Sequence, residues 1–317
     1  VMYGKVLVPL DGSPLAEQVL PYVRLVAKAF KSKVELLQVL GPVAPGLVDP
    51  AKGRYLDEIL ASMRAQAGAY LDRVGASLRK AGLSVSTEVH EGNPAEYILS
   101  EAAKEKDTLI AMTTHGRSGI ARWVLGSVAD KVLNVTPNPL LVVRARQKPT
   151  PANQVRLDVV ILPLDGSRLA EQAIPHATAL AGAMSVKLKL IRVTPFAQDL
   201  YMYTDYPIGA YAEAYEETIK SLDTEAVKYL SNMSKRLQKQ GVSSVEQTLL
   251  RGNPADAIVD IAQKTEDNLV VMTTHGRSGV GRFLLGSVAD RVVRYCGDPV
   301  LIIRATGAAK GAKKGAH

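Results

Sequence analysis

The chain has 317 residues, 47% hydrophobic and 22% charged, with a formal net charge of +8, a composition that suits two globular domains with full cores. No apolar run reaches the ~20 residues that cross a bilayer, and no basic stretch followed by an apolar core and cleavage site opens the sequence, so a cytoplasmic protein without a membrane partner is expected. The single Cys296 rules out an intrachain disulfide and a cysteine zinc site, and 5% aromatics with three of the positive charges in Lys310, Lys313 and Lys314 argue against nucleic-acid binding.

Residues 5–10 (KVLVPL) form an apolar, β-branched run and read as a buried strand. After Asp11-Gly12-Ser13, the residues Leu15, Val19, Tyr22, Val23, Val26 and Ala27 recur at helical spacing, with Pro14 suited to the first helical position. Residues 33–40 give a second strand, and the proline- and glycine-rich 41–53 a loop. Leu56, Ile59, Leu60, Met63, Ala67, Tyr70, Leu71, Val74 and Leu78 mark a long amphipathic helix that ends at Gly82. A strand over 84–90, a turn at Gly92-Asn93-Pro94, a helix with Ile98, Leu99 and Ala102, and a strand over 108–112 follow. A helical segment through Val132 and a last strand over 140–144 complete the round. Strands alternating with helices predict a mostly parallel sheet covered on both faces.

The round then repeats. Asp165-Gly166-Ser167 follows Asp11-Gly12-Ser13 at a shift of 154, and Gly252-Asn253-Pro254-Ala255 follows Gly92-Asn93-Pro94-Ala95 at a shift of 160. The second copy therefore gains six residues, and the tyrosine-rich stretch 196–215, with Tyr201, Tyr203, Tyr206 and Tyr211, is the expected place. Two domains are expected at 1–146 and 156–306, joined by a polar linker over 147–155 and trailed by a disordered basic tail over 307–317.

The copies share TTHGRSG at 113–119 and 273–279, followed by LGSVAD at 125–130 and 285–290. Each follows a predicted strand, ending in Met112-Thr113 or Met272-Thr273, and leads into a helix. Gly116 and Gly276 permit close approach by ligand oxygens. Gly126-Ser127-Val128 and Gly286-Ser287-Val288 offer free amides and a hydroxyl at a helix amino terminus, where the dipole favours anions. Arg117, Arg122, Arg277 and Arg282 add charge or face solvent. In an open α/β sheet the ligand lies outside the carboxyl ends of the strands. That adds Pro9, Leu10, Asp11, Ser13 and Val39 to the first candidate site and Pro163, Leu164, Asp165, Ser167 and Val193 to the second. Structural readings stand beside these: Gly126 and Gly286 as packing residues, Asp11 and Asp165 as helix caps, His115 and His275 as loop-shaping hydrogen-bonders. No general base or nucleophile stands at a telling spacing, so no catalytic residue is assigned.

The strand-end VPLDGS and LPLDGS, the GNPA turns, THGRSG with LGSVAD, and the closing PLLVVR and PVLIIR together resemble the universal stress protein family over nearly residues 3–305. The resemblance implies two Rossmann-like, adenine nucleotide alpha hydrolase-like α/β domains, each a five-stranded parallel sheet with helices on both faces. It implies ATP as ligand through G-xx-G-x9-G-[ST], with Mg²⁺ or Mn²⁺ held through the phosphates and no protein metal ligands. It implies Asp11, Asp165 and the backbones of Val39 and Val193 at the adenosine. Thr113 and Thr273 replace the first glycine of the pattern in both copies. The closing strands are expected to pair the two domains as an intramolecular pseudo-dimer, with further homodimerisation left open. The function implied is regulatory ATP binding in the stress response; a nucleotide-free interaction module and a slow ATPase or phospho-transfer protein are the alternatives.

Overall fold

Strands buried on both faces must be apolar at consecutive positions, and the chain supplies them. The computed structural model describes residues 2–41, 53–115, 125–148, 150–196, 212–276 and 285–306, the side chains of 53–55 and 212–215 excepted. In the first half β1 (Lys5–Pro9), β2 (Lys33–Leu40), β3 (Val85–Glu91), β4 (Thr108–Thr113) and β5 (Leu140–Val143) alternate with α1 (Leu20–Phe30), α2 (Gly53–Lys80), α3 (Pro94–Ala103) and α4 (Ser127–Val135). The second half repeats this with β6 (Val159–Pro163), α5 (Ile174–Met184), β7 (Lys187–Thr194), α6 (Ala212–Lys239) and β8 (Val245–Arg251). It ends with α7 (Pro254–Lys264), β9 (Asn268–Thr273), α8 (Ser287–Tyr295) and β10 (Val300–Ile303). Among the described residues, no helix is long and apolar enough to cross a membrane.

The strands form one ten-stranded sheet in the order β3-β2-β1-β4-β5-β10-β9-β6-β7-β8. Neighbours within each half are parallel. The halves meet where β5 pairs antiparallel with β10, setting Leu141 opposite Leu301 and Val142 opposite Val300. Successive side chains alternate between two cores. Val6 and Val8 of β1 belong to the core that includes residues of α1, α2, α5 and α6, while Leu7 belongs to the core that includes residues of α3, α4, α7 and α8. Cys296 is buried in the second of these cores, and burial pushes its thiol up to about 11, as suits a structural cysteine.

Two details depart from the sequence reading. The helix expected from Pro14 begins instead as a 3₁₀ turn, Ala16–Val19, and α1 starts at Leu20 with Pro21 in its first turn; Ala170–Ala173, α5 and Pro175 repeat the pattern. Pro21 has no N–H to give the Glu17 carbonyl, so α-helical bonding begins only where a missing donor costs nothing. The second concerns the inserted residues. Buried Leu71, Val74 and Leu78 of α2 match Leu230, Met233 and Leu237 of α6 at a shift of 159, against 154 at the preceding strand. Five of the six thus enter between β7 and α6, and the sixth is an extra serine, Ser243-Ser244 in place of Ser84, before β8. The last part of the expected tyrosine-rich loop, from Ala212, is the first turn of α6. Tyr201, Tyr203, Tyr206, Tyr211 and the tail over 307–317 lie outside the described residues.

The copies have diverged in how they fill equivalent places. In the first, buried Lys5 bonds Glu35 at 2.8 Å and Glu101 at 3.0 Å, and Glu101 also takes Lys104. In the second, Val159 and Ile261 stand where Lys5 and Glu101 do. Burial alone would raise the Glu101 carboxyl, but hydrogen bonds from Lys104 and Lys5 outweigh it and hold the group below its ordinary range. Across the two halves, α1 packs on α5, and the Tyr3 hydroxyl meets His176 Nδ1 at 2.7 Å. Burial there lowers the His176 imidazole below its usual value.

Removing one partner of a buried ion pair leaves the other charge uncompensated. We therefore expect Lys5→Val to lower stability by about 3 kcal/mol, read as a reduced urea midpoint at unchanged slope. Acid should act in two steps. His176 and Glu101 both bind protons less readily in the fold than in the unfolded chain, so stability present at neutral pH is lost as pH falls. The first loss comes below about pH 6.5 from His176 and the second below about pH 4.3 from Glu101. Calorimetry from about pH 7 to about pH 2.5, spanning both reference values, on the parent and on His176→Gln, which should lack the first step, checks this assignment.

Candidate functional site

In each half the strand order reverses beside the first strand. β1 lies between β2 and β4, and β6 between β7 and β9. Connections from β1 run over one face of the sheet and the connection through α3 to β4 over the other, so the layers part at the carboxyl ends of β1 and β4. A cavity of about 240 Å³ opens at this point in the first half, and one of about 470 Å³ in the second.

The floor of each cavity is built by the residues just past β4 or β9. Thr114 N–H extends the ladder to Val143 O at 2.9 Å, and its hydroxyl accepts from Ala145 N at 3.3 Å. Thr113 donates its hydroxyl to His115 O at 2.7 Å, and His115 Nδ1 lies 2.9 Å from Thr114 Oγ1. Thr273, Thr274 and His275 repeat this set, with Thr273 Oγ1 again 2.7 Å from the carbonyl it reaches. The threonine at the first position of the loop motif is thus used to shape the loop, and the histidine shapes it with the neighbouring hydroxyl.

The carbonyl of the preceding residue, Thr114 or Thr274, anchors the helix start. Gly126 N–H donates to Thr114 O at 2.8 Å, and Gly286 N–H to Thr274 O at 2.9 Å. A Cβ on Gly126 would stand 3.1 Å from Thr114 O, and one on Gly286 only 2.8 Å from Thr274 O. Glycine is required here by close backbone approach. It also leaves α4 and α8 without a side-chain cap. Asp130 N–H is the first to bond within α4, to Gly126 O, so Ser127, Val128 and Ala129 keep their amides unpaired among the described residues. Three free donors at the positive end of a helix form an anion-binding arrangement.

The opposite wall comes from the ends of the first two strands. Asp11 Oδ1 accepts Ser13 N–H at 2.9 Å and Asp165 Oδ1 accepts Ser167 N–H at 2.8 Å, closing a tight turn over Gly12 or Gly166. Neither aspartate caps a helix; the helical turns that follow start from Leu15, Val19, Leu169 and Ala173. Asp165 Oδ2 reaches across to the β9 loop, where a Cβ on Gly276 would collide with it. Leu10 N–H bonds Leu37 O, and Gly92 N–H bonds Leu40 O. Backbone groups alternate sides along a strand, so Val39 turns its N–H and C=O toward the space that β1 has left at Pro9. Val193 does the same beyond Pro163, between the bonds of Ile191 and Thr194.

Of the residues expected at the first site, Pro9, Leu10, Asp11, Val39, Met112, Thr113, His115, Gly126, Ser127 and Val128 line the cavity. Pro163, Leu164, Asp165, Val193, Met272, Thr273, His275, Gly276, Gly286, Ser287 and Val288 line the second. Ser13 and Ser167 line neither; their hydroxyls accept from Ala16 N and Ala170 N and start the 3₁₀ turns. Gly116, Arg117, Arg122, Arg277 and Arg282 lie outside the described residues. Sequence reasoning missed the apolar side wall, Pro94 and Ile98 with Pro254 and Ile258, although the repeated GNPA turn marked it. It also missed Thr114 and Thr274, and Arg192 in the second cavity. Among the described residues no group of three potential metal ligands occurs.

The family model described as "Universal stress protein family" matches residues 2–144 and again 157–304. A universal stress protein of Mycolicibacterium smegmatis is 27% identical over 307 residues, covering 95% of this chain and 97% of the relative. Universal stress protein MJ0531 of Methanocaldococcus jannaschii is 33% identical over 145 residues, covering 46% of this chain and 81% of the relative. Among solved structures, a universal stress protein from Archaeoglobus fulgidus superposes with a TM-score of 0.69 at 20% identity, covering 96% of this chain and 99% of that one. The chain belongs to the universal stress protein family, whose unit it carries twice.

Proposed function

We propose that the protein binds an adenine nucleotide, ATP, in each of its two crevices and serves as a nucleotide-binding regulator of the stress response, without catalytic machinery of its own. The units are the domains 1–146 and 156–306, joined through 147–155. One observation carries the reading: in both halves a glycine held against a threonine carbonyl leaves the helix amino terminus uncapped, facing the cavity. These amides suit the phosphates. The base and ribose belong at the other end, between the Asp11 turn, the exposed backbone edge of Val39 and the apolar wall of Ile98, with Asp165, Val193 and Ile258 as counterparts. The residues fit the nucleotide: the uncapped helix start at Ser127 and Ser287 and the apolar side chains of Ile98 and Ile258 line the same two cavities. A divalent cation would be held by the phosphates, since the described residues supply no cluster for it.

Ser127→Asp with Ser287→Asp provides the test. A carboxylate in the first turn stabilises a helix by about 0.5 kcal/mol, yet it repels phosphate from the same amides. We expect the double variant to melt at or above the parent temperature without ligand and to lose the upward shift that ATP and Mg²⁺ give the parent. A parent stripped of copurified nucleotide that shows no shift would defeat the proposal. Thr113→Val with Thr273→Val removes the hydroxyl that holds the loop carbonyl. A net hydrogen bond is worth about 1 kcal/mol, so ATP affinity should fall about fivefold in calorimetric titration.

A further inference from the structure

The two crevices are not copies of each other at the end away from the helix. In the second half the cavity continues around the carboxyl end of β7 to the α6 side, where Arg192, Thr194, Pro195 and Leu222 line it. Arg192 lies between Ile191 and Val193, so strand alternation aims it at the face covered by α6. Its side chain is 5% exposed. Nη2 meets Glu225 Oε1 at 3.2 Å, and the guanidinium stacks 5.1 Å from the Tyr229 ring centre. Nη1 is buried and has no hydrogen-bond partner among the described residues, and it lies beneath the turn at Gly166, where a Cβ would be 3.3 Å away. Among the described residues its two N–H donors are left without an acceptor, a costly state for a buried cation unless a ligand completes it, and the residue that carries them lines the cavity. The equivalent residue of the first half is the neutral Gln38, which does not line the first cavity.

The phosphate end of a ligand is fixed by the amino terminus of α8 beside β9. β7 lies two strands further along the sheet, about 10 Å away. We propose that Arg192 determines the specificity of the second site by donating from Nη1 to an oxygen at the end of the nucleotide opposite its 5′-phosphates, so that the two sites prefer different ligands. This rests on the nucleotide reading of the crevices. The oxygen belongs either to a keto group of the base or to a phosphate ester on the ribose, and both present the same acceptor to a guanidinium.

The full-length Ser127→Asp protein leaves only the second site open and Ser287→Asp only the first. Each is titrated calorimetrically with ATP, GTP and adenosine 3′,5′-bisphosphate. The second site should bind one of the two oxygen-bearing ligands about tenfold more tightly than the first site does, relative to ATP. Preference for GTP assigns the oxygen to the base, and preference for the bisphosphate assigns it to the ribose. Arg192→Gln should abolish the preference while changing ATP affinity less than threefold, roughly one retained hydrogen bond's worth. Arg192→Lys should restore it in part, since the charge remains and the planar fork is lost. Equal selectivity at both sites, or an equal loss for every ligand in Arg192→Gln, overturns the proposal while leaving nucleotide binding standing. Failure of every nucleotide to bind either site overturns the nucleotide reading itself, and this inference with it.

Discussion

A parallel sheet of five strands ends in a row of unpaired backbone donors and acceptors at its last strand, and everything larger in this molecule follows from how that row is satisfied. β5 and β10 are each four residues long and buried throughout. Pairing them antiparallel completes both ladders and merges two apolar layers into continuous cores. It also fixes the direction of the sites. Strands run one way throughout the first half and the opposite way throughout the second, so the two sets of carboxyl ends, and the crevices they create, open on opposite edges of the sheet. Among the described residues each crevice is lined from its own half, and no residue of one lines the other.

Within a half, the anion-binding end depends on a short chain of backbone contacts. β5 holds Thr114, Thr114 holds Gly126, and Gly126 leaves α4 uncapped. The same chain links β10, Thr274, Gly286 and α8. The two halves differ freely elsewhere. A buried ion cluster around Lys5 faces apolar Val159 and Ile261 in the other copy. Asn138 bonds the carbonyls of Ala102 and Thr108 in one half; in the other, Asn268 on the strand bonds those of Ala262 and Thr265. Packing problems have been solved twice in different ways. The contact that uncaps the helix has one solution because any side chain at Gly286 would strike the carbonyl that anchors it.

This contrast explains what could be read from the sequence. Consecutive apolar runs such as KVLVPL and long amphipathic stretches report strands and helices directly, because burial on both faces demands them. The crevice residues were legible because the motif is repeated and because ligands of α/β sheets lie at strand ends. Ser13 falls outside the cavity lining for a local reason: a serine two residues after a turn aspartate can face a ligand or bond its own backbone, and both options look alike in sequence. The 3₁₀ entry to α1 was hidden because Pro14 and Pro21 both satisfy the rule for a first helical turn, and only packing selects between them. Thr114 escaped notice because its contribution is made mostly through backbone groups.

Arg192 shows a different limit. Its neighbour Val193 was assigned to the site as a strand-end backbone, which places the Arg192 side chain on the far face by strand alternation. A residue on the far face joins the cavity only if the cavity turns around the strand end, and that depends on where α6 begins. Five of the six residues by which the second half exceeds the first enter just before α6, between β7 and the helix that carries Leu222, Glu225 and Tyr229. The duplication therefore kept the contacts that uncap the helix and changed the length of the connection beside the far end of the crevice. On the proposed reading, a unit copied in this way would keep its phosphate grip wherever the glycine–threonine contact persists, and its selectivity would be free to change at the end beyond that contact.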